Sequence, residues 1–409
     1  MKKTKIQTKH FSESKPAIAG GKPVRKKFLS YFLPSIGKEE ITEVVDTLKS
    51  NWITTGPKTQ KFEELFQKYI GCKYAVAVNS CTAAMHLALV AAEIGEGDEV
   101  ITTPFTFAAT ANVILHCGAK PVFVDIEKET YDIDTGKIEK AISKKTKAIM
   151  PVHYAGHPCE MDKIMKIAKK YKLIVIEDAA HAVGTIYKGR KIGTIGDFTA
   201  FSFYATKNMT TAEGGMLTTN KKGWADKVRI LGLHGMSRDA WKRYFPEASW
   251  RYEILYPGYK YNMTDIQASL GIHQLKKLEG FIKERNKIAR IYNEAFRDVP
   301  EIITPKTKKY VRHAWYIYPI LLNLELLKID RDKFMDALAA ENIGRSVHFL
   351  PLHLQPYYQK KFGFKRGDFP ISEYIGDRTL SLPLYPKMNR RDVEDVISAV
   401  KKIVNYFRK

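Results

Sequence analysis

Residues 74–126 read YAVAVNSCTAAMHLALVAAEIGEGDEVITTPFTFAATANVILHCGAKPVFVDI. Apolar β runs at 74–78, 99–102 and 121–126 alternate with helical stretches at 82–92 and 108–116. The pattern continues beyond this stretch. Runs at 148–152 and 173–177 flank a helix at 161–171, and runs at 198–204 and 215–219 close the region. Apolar strands alternating with helices predict an α/β fold whose mostly parallel sheet is covered on both faces.

Working outward, Ile41, Val44, Val45 and Leu48 recur at i, i+3, i+4 and i+7 and mark a helix. A second amphipathic helix carries Phe62, Leu65, Phe66 and Tyr69, and the Gly-Pro pair of WITTGP (52–57) places a loop between the two. On the far side, helices are expected at 263–278 and 280–296. After about residue 300 the texture changes: 313–323 reads as a strand, and 330–341 and 391–407 read as helices. The expected organisation is a basic flexible arm (1–27), a large cofactor-binding α/β domain (28–280) and a small C-terminal α+β domain (281–409).

Composition narrows the function classes. The chain has 409 residues and no apolar run long enough for a transmembrane helix, and its basic N-terminus is not followed by the apolar stretch of a secretory signal. Cys72, Cys81, Cys117 and Cys159 fit neither a zinc site nor a disulfide framework, so a reduced cytoplasmic compartment is expected. The net charge is +23, and residues 1–27 carry nine basic residues against Glu13 alone. Such a field attracts anions, including phosphorylated small molecules. A lysine-rich, solubilising surface explains the charge equally well. No nucleic-acid-binding signature accompanies it.

In an open α/β sheet, ligands sit at the carboxyl ends of the strands and phosphates at the helix N-termini there. Four clusters fall in such places: NSCTAA (79–84), TPFTFAAT (103–110), IEDAAH (176–181) and FSFYATK (201–207), the last followed by NMTTAEGG (208–215). Each has an ordinary structural reading: Ser80 or Thr82 as a helix cap, Phe107 as core, Asp178 as a cap, Lys207 as a surface lysine. Together they meet one chemical need. Pyridoxal phosphate requires a lysine for its aldehyde, an anion for its ring nitrogen, an apolar sandwich for its ring and a nest for its phosphate.

At these residues the sequence resembles the DegT/DnrJ/StrS family of sugar aminotransferases, pyridoxal-phosphate enzymes of fold type I. The resemblance spans residues 28–405. It rests on TTGP (54–57), NSCTAAMHLAL (79–89), PFTFAATAN (104–112), EDAAHAVGT (177–185), FSFYATKNMTTAEGG (201–215), HGMSRDAW (234–241), GYKYNMTDIQASLG (258–271) and SVHFLPLHLQPYY (346–358). It implies that Lys207 carries the cofactor covalently and that Asp178 pairs with the ring nitrogen. His181, about one helical turn on, would reach the ring hydroxyl. Phe107 and Ala180 would sandwich the ring, and Thr82, Ala83 and Ser202 would bind the phosphate. Asn262 would reach the phosphate of a neighbouring subunit, making the enzyme a homodimer with shared active sites.

The resemblance further implies L-glutamate as amino donor and a keto-sugar nucleotide as acceptor, with no nucleic-acid or membrane partner and no metal. His348 and His353 are candidate substrate residues, or satisfied structural histidines. A dehydratase branch of the family has histidine where this chain has Lys207, which favours transamination. Two other readings remain: amination of another cyclic ketone such as a keto-inositol, and a basic regulatory protein on a retired enzyme fold.

Overall fold

The structure is a computed structural model that describes residues 15–237 and 252–409. Residues 1–14 of the expected arm and the 238–241 end of the HGMSRDAW motif lie outside the described residues. The chain divides into two compact units. The larger comprises residues 34–282 and 307–316; the smaller comprises the N-terminal segment up to Leu33, residues 283–306 and residues 317–409.

The larger unit is built on a seven-stranded sheet. Its strands are β1 (Tyr74–Val78), β2 (Glu99–Thr102), β3 (Lys120–Phe123), β4 (Thr146–Ile149), β5 (Ile174–Asp178), β8 (Phe198–Ser202) and β9 (Gly215–Thr219). Between β5 and β8, the two-residue strands β6 (Ile186–Tyr187) and β7 (Arg190–Lys191) form a separate small sheet with β11 (Val311–Arg312). The large sheet runs β3-β2-β4-β5-β8-β9-β1. Every pairing from β3 to β8 is parallel, and β9 is antiparallel to both β8 and β1.

Both faces of the sheet are buried, which is why its strands read as continuous apolar runs. Alternate residues serve opposite layers: Ala75, Ala77, Val175 and Phe201 pack with α2 (Pro57–Ile70) on one side. Val76, Val78, Ile176 and Ala200 pack with α3 (Cys81–Ala91) and α4 (Ala108–His116) on the other. Phe62 and Phe66 of α2 meet Phe203 edge-on at 5.4 and 5.5 Å, a geometry aromatic rings favour. The helices α5 (Thr135–Ala141), α6 (Met161–Tyr171) and α7 (Lys222–Leu231) complete the layers.

Three elements depart from the sequence-based expectation. The helices expected at 263–278 and 280–296 are one helix, α8 (Asp265–Phe296), because the exposed Gly280 weakens a helix by only about 1 kcal/mol and does not end it. The strand expected at 313–323 is confined to β12 (Tyr318–Leu322), and residues 313–317 before it lie outside any strand. In α1 (Lys38–Lys49) the apolar stripe faces outward: Ile41, Val45 and Leu48 are exposed, whereas Glu40 and Thr47 are buried. Glu40 is buried because Gln274 and Lys277 satisfy its two oxygens at 2.8 and 2.7 Å.

The smaller unit holds an antiparallel sheet of β10 (Ile302–Ile303), β12 and β13 (Thr379–Leu382). The helices α9 (Arg331–Ala340), α10 (Pro356–Phe362), α11 (Pro370–Arg378) and α12 (Arg390–Phe407) surround it. Residues 15–27, expected as a flexible arm, are instead tied to this unit. The fully buried Lys402–Glu341 pair binds them: Glu341 accepts from the N–H groups of Ala17 (2.8 Å) and Val24 (2.7 Å), and Lys402 donates to the Lys22 carbonyl (2.6 Å). Arg25 bridges Asp392 and Asp395 at 2.9 and 2.7 Å. Buried backbone partners, which composition does not reveal, fix the segment.

Candidate active site

The strand ends of the larger unit bring the polar residues together. Asp178, the last residue of β5, is 5% exposed. One carboxylate oxygen accepts from Thr110 Oγ1 at 2.7 Å, and Thr110 is itself bonded to Thr106 Oγ1 at 2.8 Å. The other accepts from the Ala180 N–H at 3.1 Å. Among the described residues no cation lies within ion-pair distance of it. A buried carboxylate held by two neutral donors is arranged for a cationic partner.

Lys207 stands in the loop after β8. Backbone bonds from Phe203 N–H to the Gly214 carbonyl and from Thr211 N–H to the Phe203 carbonyl, both 2.9 Å, close that loop. The Lys207 side chain is half-buried, and its Nζ lies 4.3 Å from the ring centroid of Tyr316. Both charged groups are felt at Cys81, whose Sγ donates to the Ala200 carbonyl, the register neighbour of Asp178. Burial pushes the Cys81 thiol well above its ordinary range; the negative Asp178 adds to this and the positive Lys207 opposes it.

His181 is buried, and the segment from Asp178 to it is a turn, not the helical turn expected, closed by Ala182 N–H to the Ala179 carbonyl at 2.9 Å. Its Nδ1 accepts from the Ala155 N–H at 3.3 Å, which assigns the ring hydrogen to Nε2. Its ring lies 4.3 Å from that of Tyr316, whose hydroxyl meets Thr206 Oγ1 at 3.1 Å.

Ser80 caps α3, its Oγ accepting from the Ala83 N–H at 3.1 Å, and Thr82 is exposed in the first turn. Gly215 pairs with both Val78 and Ser202. A Cβ there would fall 2.4 Å from the Ser80 carbonyl carbon and 2.6 Å from the Cys81 nitrogen. Only glycine therefore lets the N-terminus of α3 press onto the ends of β1 and β8. A helix N-terminus in that setting favours an anion.

Phe107 precedes α4 and is 64% exposed; its carbonyl accepts from the N–H of Thr110, the residue bonded to Asp178. Ala180 is half-buried. Asn262 lies in a bridge with Val78, and its Nδ2 donates to Thr55 Oγ1 at 2.6 Å. Both residues line a cavity of about 390 Å³ that also includes Glu63 and Arg229, and neither Asp178 nor Lys207 lines it.

Residues 34–401 match the model of the DegT/DnrJ/EryC1/StrS aminotransferase family. The chain belongs to that family. It is 55% identical over 381 residues to the spore coat polysaccharide biosynthesis protein SpsC of Bacillus subtilis, covering 93% of this chain and 98% of SpsC. The structure superposes on Spr1654 of Streptococcus pneumoniae in its PLP form with a TM-score of 0.86 at 35% identity, covering 93% and 99% of the two chains. It superposes equally, TM-score 0.86 at 31% identity, on Helicobacter pylori PseC, an aminotransferase involved in the biosynthesis of pseudoaminic acid, covering 93% and 100%.

The chain is thus a pyridoxal-phosphate-dependent sugar aminotransferase of fold type I. Its own residues fit the cofactor: an uncompensated buried carboxylate, a half-buried lysine, an exposed aromatic and a glycine-opened helix N-terminus share one set of strand ends.

The nine residues expected around the cofactor, Asn262 included, all fall in the larger unit; His348 and His353 fall in the smaller. His353 is fully buried with Nε2 2.9 Å from Glu373 Oε1, and Glu373 also holds the Gly367 N–H. His348 is half-buried, with Nδ1 3.0 Å from Ser381 Oγ and its ring stacked near Tyr31.

Sequence reasoning missed Thr110, Thr55 and Tyr316. Thr110 sits within a quoted motif, three residues from Phe107, and its spacing was the available signal. Nothing in the sequence around Tyr316 marks it. No helix among the described residues is long and apolar enough to cross a membrane, and none of their His, Cys, Asp and Glu groups could hold a metal ion.

Proposed function

We propose that this enzyme transfers an amino group from L-glutamate to a 4-keto-6-deoxy nucleoside-diphosphate hexose, producing an amino sugar for surface glycans. The observation that carries the chemical half of this reading is the buried Asp178 carboxylate without a cation beside it, at the same strand ends as Lys207. Bound pyridoxal phosphate supplies an electron sink for the carbanion formed next to the transferred nitrogen.

The chain supplies the rest. Lys207 anchors the cofactor; once displaced, its Nζ takes the proton from the α-carbon of the donor and later returns one to the sugar carbon. Asp178 keeps the ring nitrogen protonated, and Thr110 and Ala180 fix its two oxygens. His181 presents its Nε2 hydrogen to the ring hydroxyl. Phe107 and Ala180 cover the ring faces, and Thr82, Ala83 and Ser202 receive the phosphate.

A sugar nucleotide suits the charge of +23, since the basic field favours a diphosphate. The likeness to SpsC supports a glycan product. The outward stripe of Ile41, Val45 and Leu48 supports a homodimer, in which Asn262 serves the neighbouring subunit's phosphate. The four free cysteines agree with work in the cytoplasm.

The test is a panel of ketones with L-glutamate, followed by release of 2-oxoglutarate. Turnover of 4-keto-6-deoxy sugar nucleotides is the expected result. Turnover of keto-inositols alone overturns the acceptor, and loss of a sugar hydroxyl without amination overturns the reaction.

A further inference from the structure

Lys207 has no carboxylate within ion-pair distance among the described residues, and its Nζ rests on an aromatic face. The ring of Tyr316 lies 4.3 Å from that nitrogen and 4.3 Å from the ring of His181. We propose that Tyr316 is a positioning residue that holds the Lys207 ammonium in reach of the cofactor site whenever Nζ is not covalently engaged. The inference rests on the role proposed above for Lys207.

The ring is fixed from three sides. Tyr316 N–H donates to the Ala155 carbonyl at 2.9 Å, and Ala314 N–H donates to the Gly156 carbonyl at 3.2 Å. Asn208, next to Lys207, donates its Nδ2 hydrogen to the Ala314 carbonyl at 2.9 Å. Gly156 has φ +94°, and a Cβ there would fall 2.8 Å from the His181 carbonyl oxygen and 3.1 Å from the Trp315 nitrogen. Glycine at that position is what lets residues 314–316 dock beside His181. The Tyr316 hydroxyl, on Thr206 Oγ1 at 3.1 Å, completes the support.

The chemistry suits a lysine that must be freed and reused. A four-carbon stem released from its covalent partner samples many rotamers. A carboxylate within ion-pair distance would hold the ammonium but resist its deprotonation. A ring face attracts the cation and accepts no proton. Asp178, Cys81 and His181 are the other titratable groups of this site.

The experiment mixes apoenzyme with pyridoxal phosphate at neutral pH and follows the rise of the visible absorption band. Wild type, Tyr316→Phe, Tyr316→Leu and Lys207→Ala are compared. Tyr316→Leu is expected to lower the rate several-fold, because the ammonium is no longer held over the ring. Tyr316→Phe, which keeps the ring, is expected to restore it. A purely structural lesion lowers the amplitude without changing the rate.

A second measurement needs no Tyr316 variant. Reductive ¹³C-methylation of wild-type apoenzyme should give a ring-current-shifted Lys207 signal, identified by its absence in Lys207→Ala. An unshifted signal, a Tyr316→Leu variant that matches wild type, or a Tyr316→Phe variant that fails alongside it overturns the inference. If Lys207→Ala still develops the band, the reading of Lys207 falls first and this one with it.

Discussion

At the scale of single residues, the account turns on Asp178 and Lys207. Asp178→Asn should lower kcat by on the order of a hundred-fold or more, since the ring nitrogen loses its counter-charge, and steady-state kinetics with L-glutamate checks this. Thr110→Val removes one of the two donors on that carboxylate. A hydrogen bond to a charged group contributes about 1.5–3 kcal/mol, so kcat should fall by roughly ten- to a hundred-fold with little change in KM. The placement of Lys207, Asp178 and Phe107 at strand ends was legible in the sequence because each follows an apolar run. Tyr316 was not, because its partners are 109 positions or more away in the chain and no local pattern encodes that contact. His353 looks available in a loop by sequence, whereas the structure buries it against Glu373.

At the scale of elements, periodicity located helices well and assigned their faces poorly. The strands β1, β2 and β9 and the helix α4 fall where the sequence puts them, because apolar runs with local spacing carry the information. In α1 the same spacing finds the helix, but its apolar stripe points to solvent and its buried side holds Glu40 and Thr47. Only tertiary partners, here Gln274, Lys277 and Ser269, reveal this.

Glu43 joins α1 to its neighbours through His273 at 2.8 Å and through Lys58. Burial pushes its carboxyl up, but the hydrogen bonds from His273 and Lys58 outweigh burial and hold it at about 2. Because the folded value lies below the ordinary 4.5, this contribution is fully present above about pH 4.5 and is lost as pH falls toward 2. Glu43→Gln should therefore flatten the acid limb of a stability-against-pH curve measured by urea unfolding. Lys402→Met, which strands Glu341 in a buried site, should cost about 3–5 kcal/mol in the same assay and expose residues 15–27 to protease.

At the scale of the whole molecule, the outward stripe on α1 and the shared-site proposal for Asn262 predict that activity depends on assembly. Val45→Asp together with Ile41→Asp changes only exposed positions, so the fold should persist while sedimentation shows monomers and turnover is lost. The net charge of +23 was legible from composition, but its use was not, since a charge count does not say which anion it meets. The central claim, that Lys207 and Asp178 serve a glutamate-dependent transamination, has one direct measurement. The visible spectrum of the pyridoxal-phosphate-loaded protein should show a band that bleaches on adding L-glutamate and returns on adding a keto-sugar nucleotide. A band that persists in the presence of L-glutamate would contradict the account.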